Sequence, residues 1–375
     1  MKRPFGSIIS FSGARRKIKG GKYRLPKRAK AFIMRVEKYA IALRRRNMKR
    51  ICLISTGGTI ACVPTENGLA PQLSAEDLVK LVGCGSKDIA IDCTDLFSMD
   101  SSNIQPEEWC VIAEAIREKV GSCDGIVLTH GTDTMAYTAS MLSFMLMGIP
   151  IPVVLTGAQY PAVYPDSDGR RNLLDAVAAA GVLPGGVYIC FGGSVILGCR
   201  AVKTRTTSLN AFESINYPYV ASVIDGKCVM LHKPKSMRGF SCSTAMETRV
   251  ALVKIYPGMS QELLDSLKDI GMKGVVVEGF GLGGMHNFRR DHTESIRRLM
   301  EAGIPVVLTS QCLYEQSTPD VYEVSRTLKN VGVISAHDMT TEAAITKLMW
   351  VLGRAHDIES VRRIMETDIA GELNE

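Results

Sequence analysis

Several features are scarce or missing in this 375-residue chain. No apolar run approaches the ~20 residues that a membrane-spanning helix requires. No CxxC pair occurs, and the eleven cysteines are odd in number and irregularly spaced. That pattern excludes a disulfide framework and points to free thiols in a reducing, cytoplasmic compartment. Only six histidines are present. No two lie at ligand spacing on one helix, so no metal site is expected. Neither GxGxxG nor GK[ST] accompanies the TGG turn at Gly57–Gly58, so that turn gives no support for a phosphate cradle. There is no internal repeat and no low-complexity block.

What is present divides sharply by charge. The formal net charge is +7, but residues 1–50 hold 18 of the 45 basic residues and one acid, Glu37. The remainder has 27 basic and 37 acidic residues, a net of −10. The body is acidic behind a basic tail, and three readings of the tail stay open. It could contact nucleic-acid phosphates. It could be a targeting segment, although it lacks the apolar core of a secretory signal. Or, since Met48 directly precedes "KRICLISTGGTIA", residues 1–47 are a disordered or non-native extension. Composition favours a short helix over Lys30–Arg50.

From Arg50 onward, strand and helix signals alternate. "ICLIS", "GIVLTHG", "IPVVLTGAQ" and "GVYICFGG" read as buried strands. "SAEDLVKLV" reads as a helix capped by Ser74 with Asp77 three residues on. "QPEEWCVIAEAIREKV" reads as a helix with Pro106 in its first turn and Trp109, Ile112, Ile116 and Val120 on one face. "DTMAYTASMLSFMLMG" is apolar on nearly every side, as a buried crossover helix would be. "RRNLLDAVAAAG" is a further helix. The stretch 232–248 is polar, holds Pro and Gly, and reads as a linker. A second alternating set follows, with strands in "VALVKIYPG", "GVVVEGFG" and "IPVVLTSQ". Its helices lie in "SQELLDSLKDIG", near "TESIRRLMEAG", from Thr341 to Val351 and over "IESVRRIMET".

The expected fold is α/β. A large N-terminal, doubly wound, mostly parallel sheet (48–231) precedes a smaller C-terminal α/β domain (249–375). Ligands of such sheets bind at the carboxyl ends of the strands. Three strand ends there are rich in Thr and Gly: "ISTGGTIA", "LTHGTDT" and "LTGAQ".

Each motif has a plain structural reading. The TGG turn can be a tight strand-to-helix turn. Thr132 or Asp133 can cap the helix that follows. His130 reads as a packed, hydrogen-bonded core histidine. Lys203, in "GCRAVKTRTTSLNAF", can be an ordinary surface lysine. The chemical reading needs more. A threonine hydroxyl is a weak nucleophile until a base takes its proton, and a buried lysine could serve, because desolvation lowers an amine's pKa.

"ISTGGTIA", "FSMDSSNIQPEEW", "LTHGTDTMAYTAS", "VLTGAQYP", "RAVKTRTTSLNAF" and "HDMTTEAAITKL" together resemble the bacterial-type L-asparaginases, threonine-nucleophile amidohydrolases, with the cytoplasmic type I branch nearest. The resemblance runs from about Met48 to the carboxyl terminus. It implies hydrolysis of L-asparagine to L-aspartate and ammonia through a threonyl acyl-enzyme, in a homodimer or homotetramer without cofactor. Thr59 would be the nucleophile, with Thr132 and Lys203 as a proton relay. Asp133 would grip the substrate ammonium. Ser101, with Asp100 or Ser102 beside it, would hold the substrate carboxylate. N–H groups near Gly58 and Thr132 would face the oxyanion.

Two departures stand out. Leu69 occupies the place where many relatives carry a loop tyrosine, which leaves Tyr322 or Tyr314 as substitutes. "GFGLGGM", Gly279 to Met285, lacks an asparagine that often serves the neighbouring protomer. Two other functions are carried alongside: an asparaginase-like, ammonia-releasing component of a tRNA-dependent amidotransferase, and a non-catalytic aspartate-binding module.

Overall fold

The computed structural model describes residues 48–86, 88–235, 237, 239–318 and 323–374, with backbone alone at 323–326. The helix expected over Lys30–Arg50 falls almost wholly outside the described residues. Its last two residues instead open strand β1 (Lys49–Gly57), where they pair with Ile89 and Ala90. The unbroken apolar run Ile51–Ile54 favours a buried strand, and the strand extends back through them.

The strands that follow are a hairpin of β2 (Cys62–Thr65) and β3 (Gly68–Pro71), then β4 (Ile89–Met99), β5 (Gly125–Thr129), β6 (Pro152–Thr156), β7 (Gly186–Phe191) and β8 (Ser194–Leu197). A second hairpin, β9 (Ala201–Lys203) with β10 (Phe212–Ser214), precedes β11 (Ala221–Ile224) and β12 (Lys227–Met230). The main sheet has the order β12-β11-β8-β7-β6-β5-β1-β4. From β7 to β4 it is parallel, whereas β8, β11 and β12 extend it antiparallel. Sequence alternation did not mark β4. Its residues "IAIDCTDLFSM" mix three side-chain classes because the strand is an edge, with no position fully buried.

The helices form where their termini are signalled. In α1 (Ala75–Val82) Ser74 and Asp77 make the expected capping box. α2 (Pro106–Lys119) starts on its proline and buries Trp109, Ile112 and Ile116. α3 (Met135–Met145) is buried at every residue but Tyr137, and α4 (Asp168–Ala180) covers β6 and β7.

The second sheet is β13 (Val250–Lys254), β14 (Gly274–Gly279), β15 (Val306–Ser310) and β16 (Ile334–Ser335), all parallel. Its helices are α5 (Glu262–Asp269), α6 (His292–Glu301), α7 (Glu323–Val331), α8 (Thr341–Leu352) and α9 (Ile358–Met365). Alternate residues of its strands face opposite ways. Val276, Val307 and Ile334 join the main core, while Val275, Val277 and Leu308 build a second one with α5 and α6.

α3 is apolar all round because α8 covers the side that the main sheet leaves open. Phe144 and Trp350 meet across that contact at 6.1 Å between ring centroids. Residues 231–249 hold no regular element among those described, yet are pinned through Ser241 and Ser243 to the end of α3 and through Glu247 to α8. All eleven cysteines are unpaired. Among the described residues no helix is long and apolar enough to cross a membrane.

Candidate active site

The chain leaves β1 for β4 on one side, then crosses over β1 to β5 on the other. Strand order therefore reverses at β1. Sheets of this kind bind ligands in the crevice outside the carboxyl ends of the strands at such a reversal, here those of β1 and β5.

Both strands end in the motifs singled out above. Gly57 and Gly58 have φ of 96° and 76°, conformations that a side chain resists. Space forbids a side chain as well. A Cβ on Gly57 would lie 2.5 Å from the Met99 nitrogen, and one on Gly58 would lie 2.3 Å from the Gly131 nitrogen. The two glycines let the end of β1 slide between β4 and the turn after β5. Thr59 then opens a short 3-10 turn (Thr59–Ala61) and stays half-buried while Ile60 and Ala61 are buried. Since Gly58 touches Gly131, Thr59 and Thr132 each stand one residue from the same backbone contact.

Thr132 is buried, and its Oγ1 accepts a hydrogen bond from Lys203 Nζ at 2.8 Å. The same amine meets Asp133 Oδ1 at 2.5 Å. Lys203 is therefore not a surface lysine. The capping role open to Thr132 or Asp133 is not taken by either: Thr134 is the N-cap of α3, and its hydroxyl donates to the Ser101 carbonyl at 2.8 Å. Both neighbours are left for Lys203.

Ser101 begins a 3-10 turn (Ser101–Asn103) after β4. It is buried, its Oγ accepts from the Asp133 N–H at 3.3 Å, and a Cβ on Gly131 would strike it. Asp100 caps this turn by accepting from the Ser102 N–H at 2.8 Å. Ser102 holds the Asp100 carboxyl below the ordinary aspartate range. Asp100 and Ser102 are themselves exposed at the rim.

His130 is the core histidine the sequence suggested. Trp109 Nε1 donates to Thr138 Oγ1 at 3.0 Å, which leaves the Thr138 proton for His130 Nε2 at 2.9 Å. Nδ1–H then donates to the Gly131 carbonyl at 2.7 Å, and the ring is neutral. Burial pushes its pKa down to about 4. Its work is to hold the Gly131 peptide against Gly58.

The structure thus brings together Gly58, Ser101, Thr132, Asp133 and Lys203, with Thr59 directly after Gly58 and with Asp100 and Ser102 flanking Ser101. Leu69 lies on the β2–β3 hairpin that follows Thr59, exposed. Tyr322 lies outside the described residues. Tyr314 is engaged elsewhere, its hydroxyl donating to Glu213 at 2.5 Å. Gln159 sits in a motif that the sequence marked, but its part becomes visible only in the fold. Its side-chain amide donates to the carbonyls of Thr206 and Ser208, both at 3.1 Å, and tethers the loop beyond Lys203. A cavity of about 350 Å³ lined by Ile149, Pro150, Tyr188 and Phe240 lies toward the amino ends of β6 and β7 and includes none of the crevice residues.

Residues 50–236 match the family model "Asparaginase, N-terminal", and residues 249–365 match "Glutaminase/Asparaginase C-terminal domain". The chain belongs to the asparaginase family. It is 42% identical to an L-asparaginase of Thermococcus kodakarensis over 326 residues, covering 86% of this chain and 99% of that protein. The solved structure of the thermostable L-asparaginase from that organism superposes with a TM-score of 0.83, over 87% of this chain and 99% of that one. L-asparaginase I from Vibrio cholerae superposes with a TM-score of 0.78 at 29% identity, covering 88% and 100%. A component of the glutamyl-tRNA(Gln) amidotransferase of Methanobrevibacter smithii is 37% identical over 345 residues, 87% of this chain and 77% of that protein.

Proposed function

We propose that this asparaginase-family chain hydrolyses L-asparagine to L-aspartate and ammonia, with Thr59 as nucleophile. The observation that carries the reading is the Lys203 amine bonded to both Thr132 and Asp133, beside the glycine turn that presents Thr59. Thr132 accepts from the amine, so its own proton is free to point into the crevice. In this reading the Thr59 hydroxyl adds to the side-chain amide carbon; its proton passes to the second lone pair of Thr132 Oγ1, held in place by Lys203, and the Thr132 proton moves on to the amide nitrogen. Backbone N–H groups around Gly58 and Thr132 face the oxyanion. Collapse expels ammonia, which takes up the proton and leaves a β-aspartyl ester. Water, positioned by Thr132, then splits the ester and regenerates Thr59.

Substrate selection follows from charge. One Asp133 oxygen is occupied by Lys203, and the exposed remainder suits an α-ammonium group. The buried Ser101 hydroxyl accepts from the Asp133 N–H and can donate to the α-carboxylate. Asp100, being anionic, acts by fixing the Ser101–Asn103 turn, not by touching that carboxylate. The acid–base tyrosine of the family has no counterpart at Leu69. Tyr322 keeps that proposed role, and Tyr314 does not, because its hydroxyl is held by Glu213.

The reading includes residues 48–231 and 249–375 as domains joined by 232–248, and self-assembly into a dimer or tetramer. The test is ammonia release. Asparagine turnover by the full chain and a loss of about 10³-fold or more in kcat in Thr59→Ala are expected. Wild-type activity in that variant would remove the nucleophile.

A second reading, ammonia supply to a tRNA-dependent amidotransferase, is favoured by the likeness to the Methanobrevibacter smithii amidotransferase component. Identity weighs against it: 42% to the asparaginase and 37% to the amidotransferase protein. Glutamine preferred over asparagine, with tRNA binding lost on removal of residues 1–47, would reverse the order. One methylene separates the two amides, a discrimination of about 1–3 kcal/mol in a fitted pocket. Tight aspartate binding without turnover would instead leave the binding module.

A further inference from the structure

Lys203 reaches the crevice from an unusually slight support. β9 is three residues long and pairs only with β10, Lys203 opposite Phe212. Beyond Lys203 the chain enters a loop that is exposed from Arg205 to Asn210. A lysine side chain carries about 2 kcal/mol of rotamer entropy. An amine held at 2.8 Å from Thr132 Oγ1 therefore needs a fixed backbone beneath it.

Two clamps supply that. At the base, the fully buried Arg200 donates to the Gly371 carbonyl at 2.7 Å and to Asp338 Oδ2 at 2.7 Å, which ties the start of β9 to the carboxyl-terminal tail. At the open end stands Glu213, on β10. One of its oxygens accepts from Thr204 Oγ1 at 3.1 Å and meets Arg205 Nη1 at 2.6 Å, closing the mouth of the loop directly after Lys203. Its other oxygen accepts from the Tyr314 hydroxyl at 2.5 Å. Tyr314 comes from the loop after β15, in the second sheet. The next residue, Glu315, docks beside it: its N–H donates to Asn216 Oδ1 at 2.8 Å, and Asn216 Nδ2 returns a bond to its carbonyl at 3.2 Å. The Tyr314 bond holds the Glu213 carboxyl below its ordinary range and raises the tyrosine in return.

We propose that Glu213 and Tyr314 are positioning residues for Lys203. Tyr314, reaching over from the second sheet, fixes the carboxylate that closes the hairpin delivering the lysine amine to Thr132. The inference rests on the functional reading above, because it needs Lys203 to act in turnover. It also gives Tyr314 a role distinct from that of the acid–base tyrosine beside the nucleophile.

Tyr314 is half-exposed, so Tyr314→Phe removes one hydroxyl without opening a core. The experiment is steady-state asparagine hydrolysis by wild type, Lys203→Ala, Tyr314→Phe, Glu213→Gln and the double variant, with a melting curve for each. Misplacing a reacting group by a fraction of an ångström is expected to lower kcat roughly tenfold in Tyr314→Phe. KM should stay within about twofold and melting should be unchanged, since substrate contacts and the core are untouched. The double variant should be no worse than the worse single, because Tyr314 acts through Glu213. If wild type turns over and Lys203→Ala does not, the functional reading stands. An unchanged kcat in Tyr314→Phe would then overturn the positioning role alone, as would a kcat loss that tracks a fall in melting temperature or a matching rise in KM. No turnover by wild type overturns both.

Discussion

Two lysine–carboxylate pairs in this chain share a separation of 2.5 Å and have opposite surroundings. Lys203–Asp133 stands at the crevice with side-chain exposures of 17% and 62%. Lys347–Glu372 is completely buried, 0% on both sides. The buried pair is surrounded by satisfied partners. Lys347 donates to the carbonyls of Met365 and Thr367 at 2.9 and 2.6 Å. Glu372 accepts from the N–H groups of Ile369 and Ala370. Burial pushes the Lys347 amine down from its usual range against the pull of Glu372. Every donor there is spent, so the pair can only hold the tail in place. The crevice pair keeps one carboxylate oxygen and one hydroxyl proton for a visitor. Contact distance is thus a poor guide to role, and what decides is whether hydrogen-bonding capacity remains.

Breaking the buried pair should have the largest effect on the fold. Glu372→Gln leaves a charged amine uncompensated in the core, and the free energy of unfolding should fall by about 3–5 kcal/mol in urea denaturation. A loss below about 1 kcal/mol would mean that the pair does not clamp the tail.

The crevice pair should behave in reverse. Asp133→Asn is expected to lower kcat/KM by about 10²–10³-fold, about 3–4 kcal/mol in the barrier. Its unfolding free energy should move by less than about 1 kcal/mol, because a half-exposed pair is screened by water. Equal losses of stability and activity would erase the contrast between the two pairs.

His130 sharpens the comparison, being a buried group beside the crevice. Its folded pKa of about 4 lies below the ordinary 6.5. A depressed pKa means that the unfolded chain binds the proton more readily. The neutral ring's contribution is complete above pH 6.5 and is lost as pH falls toward 4, by about 3 kcal/mol in all. Urea unfolding of wild type and His130→Gln at pH 7 and pH 4.5 isolates this share, and parallel losses in both would place the acid sensitivity elsewhere.

Much of this was legible in the sequence. The longer buried parallel strands announced themselves as apolar runs, though the two-residue β16 did not, and helix starts were set by Ser74 with Asp77 and by Pro106. The TGG turn and the THGTDT strand end marked the crevice because glycine conformations and chain reversal are local properties. β4 was missed, since an edge strand with no fully buried position shows no clean period. The antiparallel extension through β8, β11 and β12 was missed because strands of four residues carry little signal. "HDMTTEAAITKL" was noticed as a motif, but not that Asp338 would meet Arg200.

The amino-acid order alone marked most helices and the longer buried strands, which strand tips carry threonine and glycine, and that Lys203 lies in a stretch of small and polar residues. It did so because propensity, capping and turn geometry act over a few residues. Tertiary structure decided that Lys203 meets Thr132, that Tyr314 holds Glu213, and which of two equally close ion pairs keeps free valences for a ligand. The first two of those contacts join residues 71 and 101 positions apart, and only the strand order of the folded sheets brings such distant groups within hydrogen-bond reach.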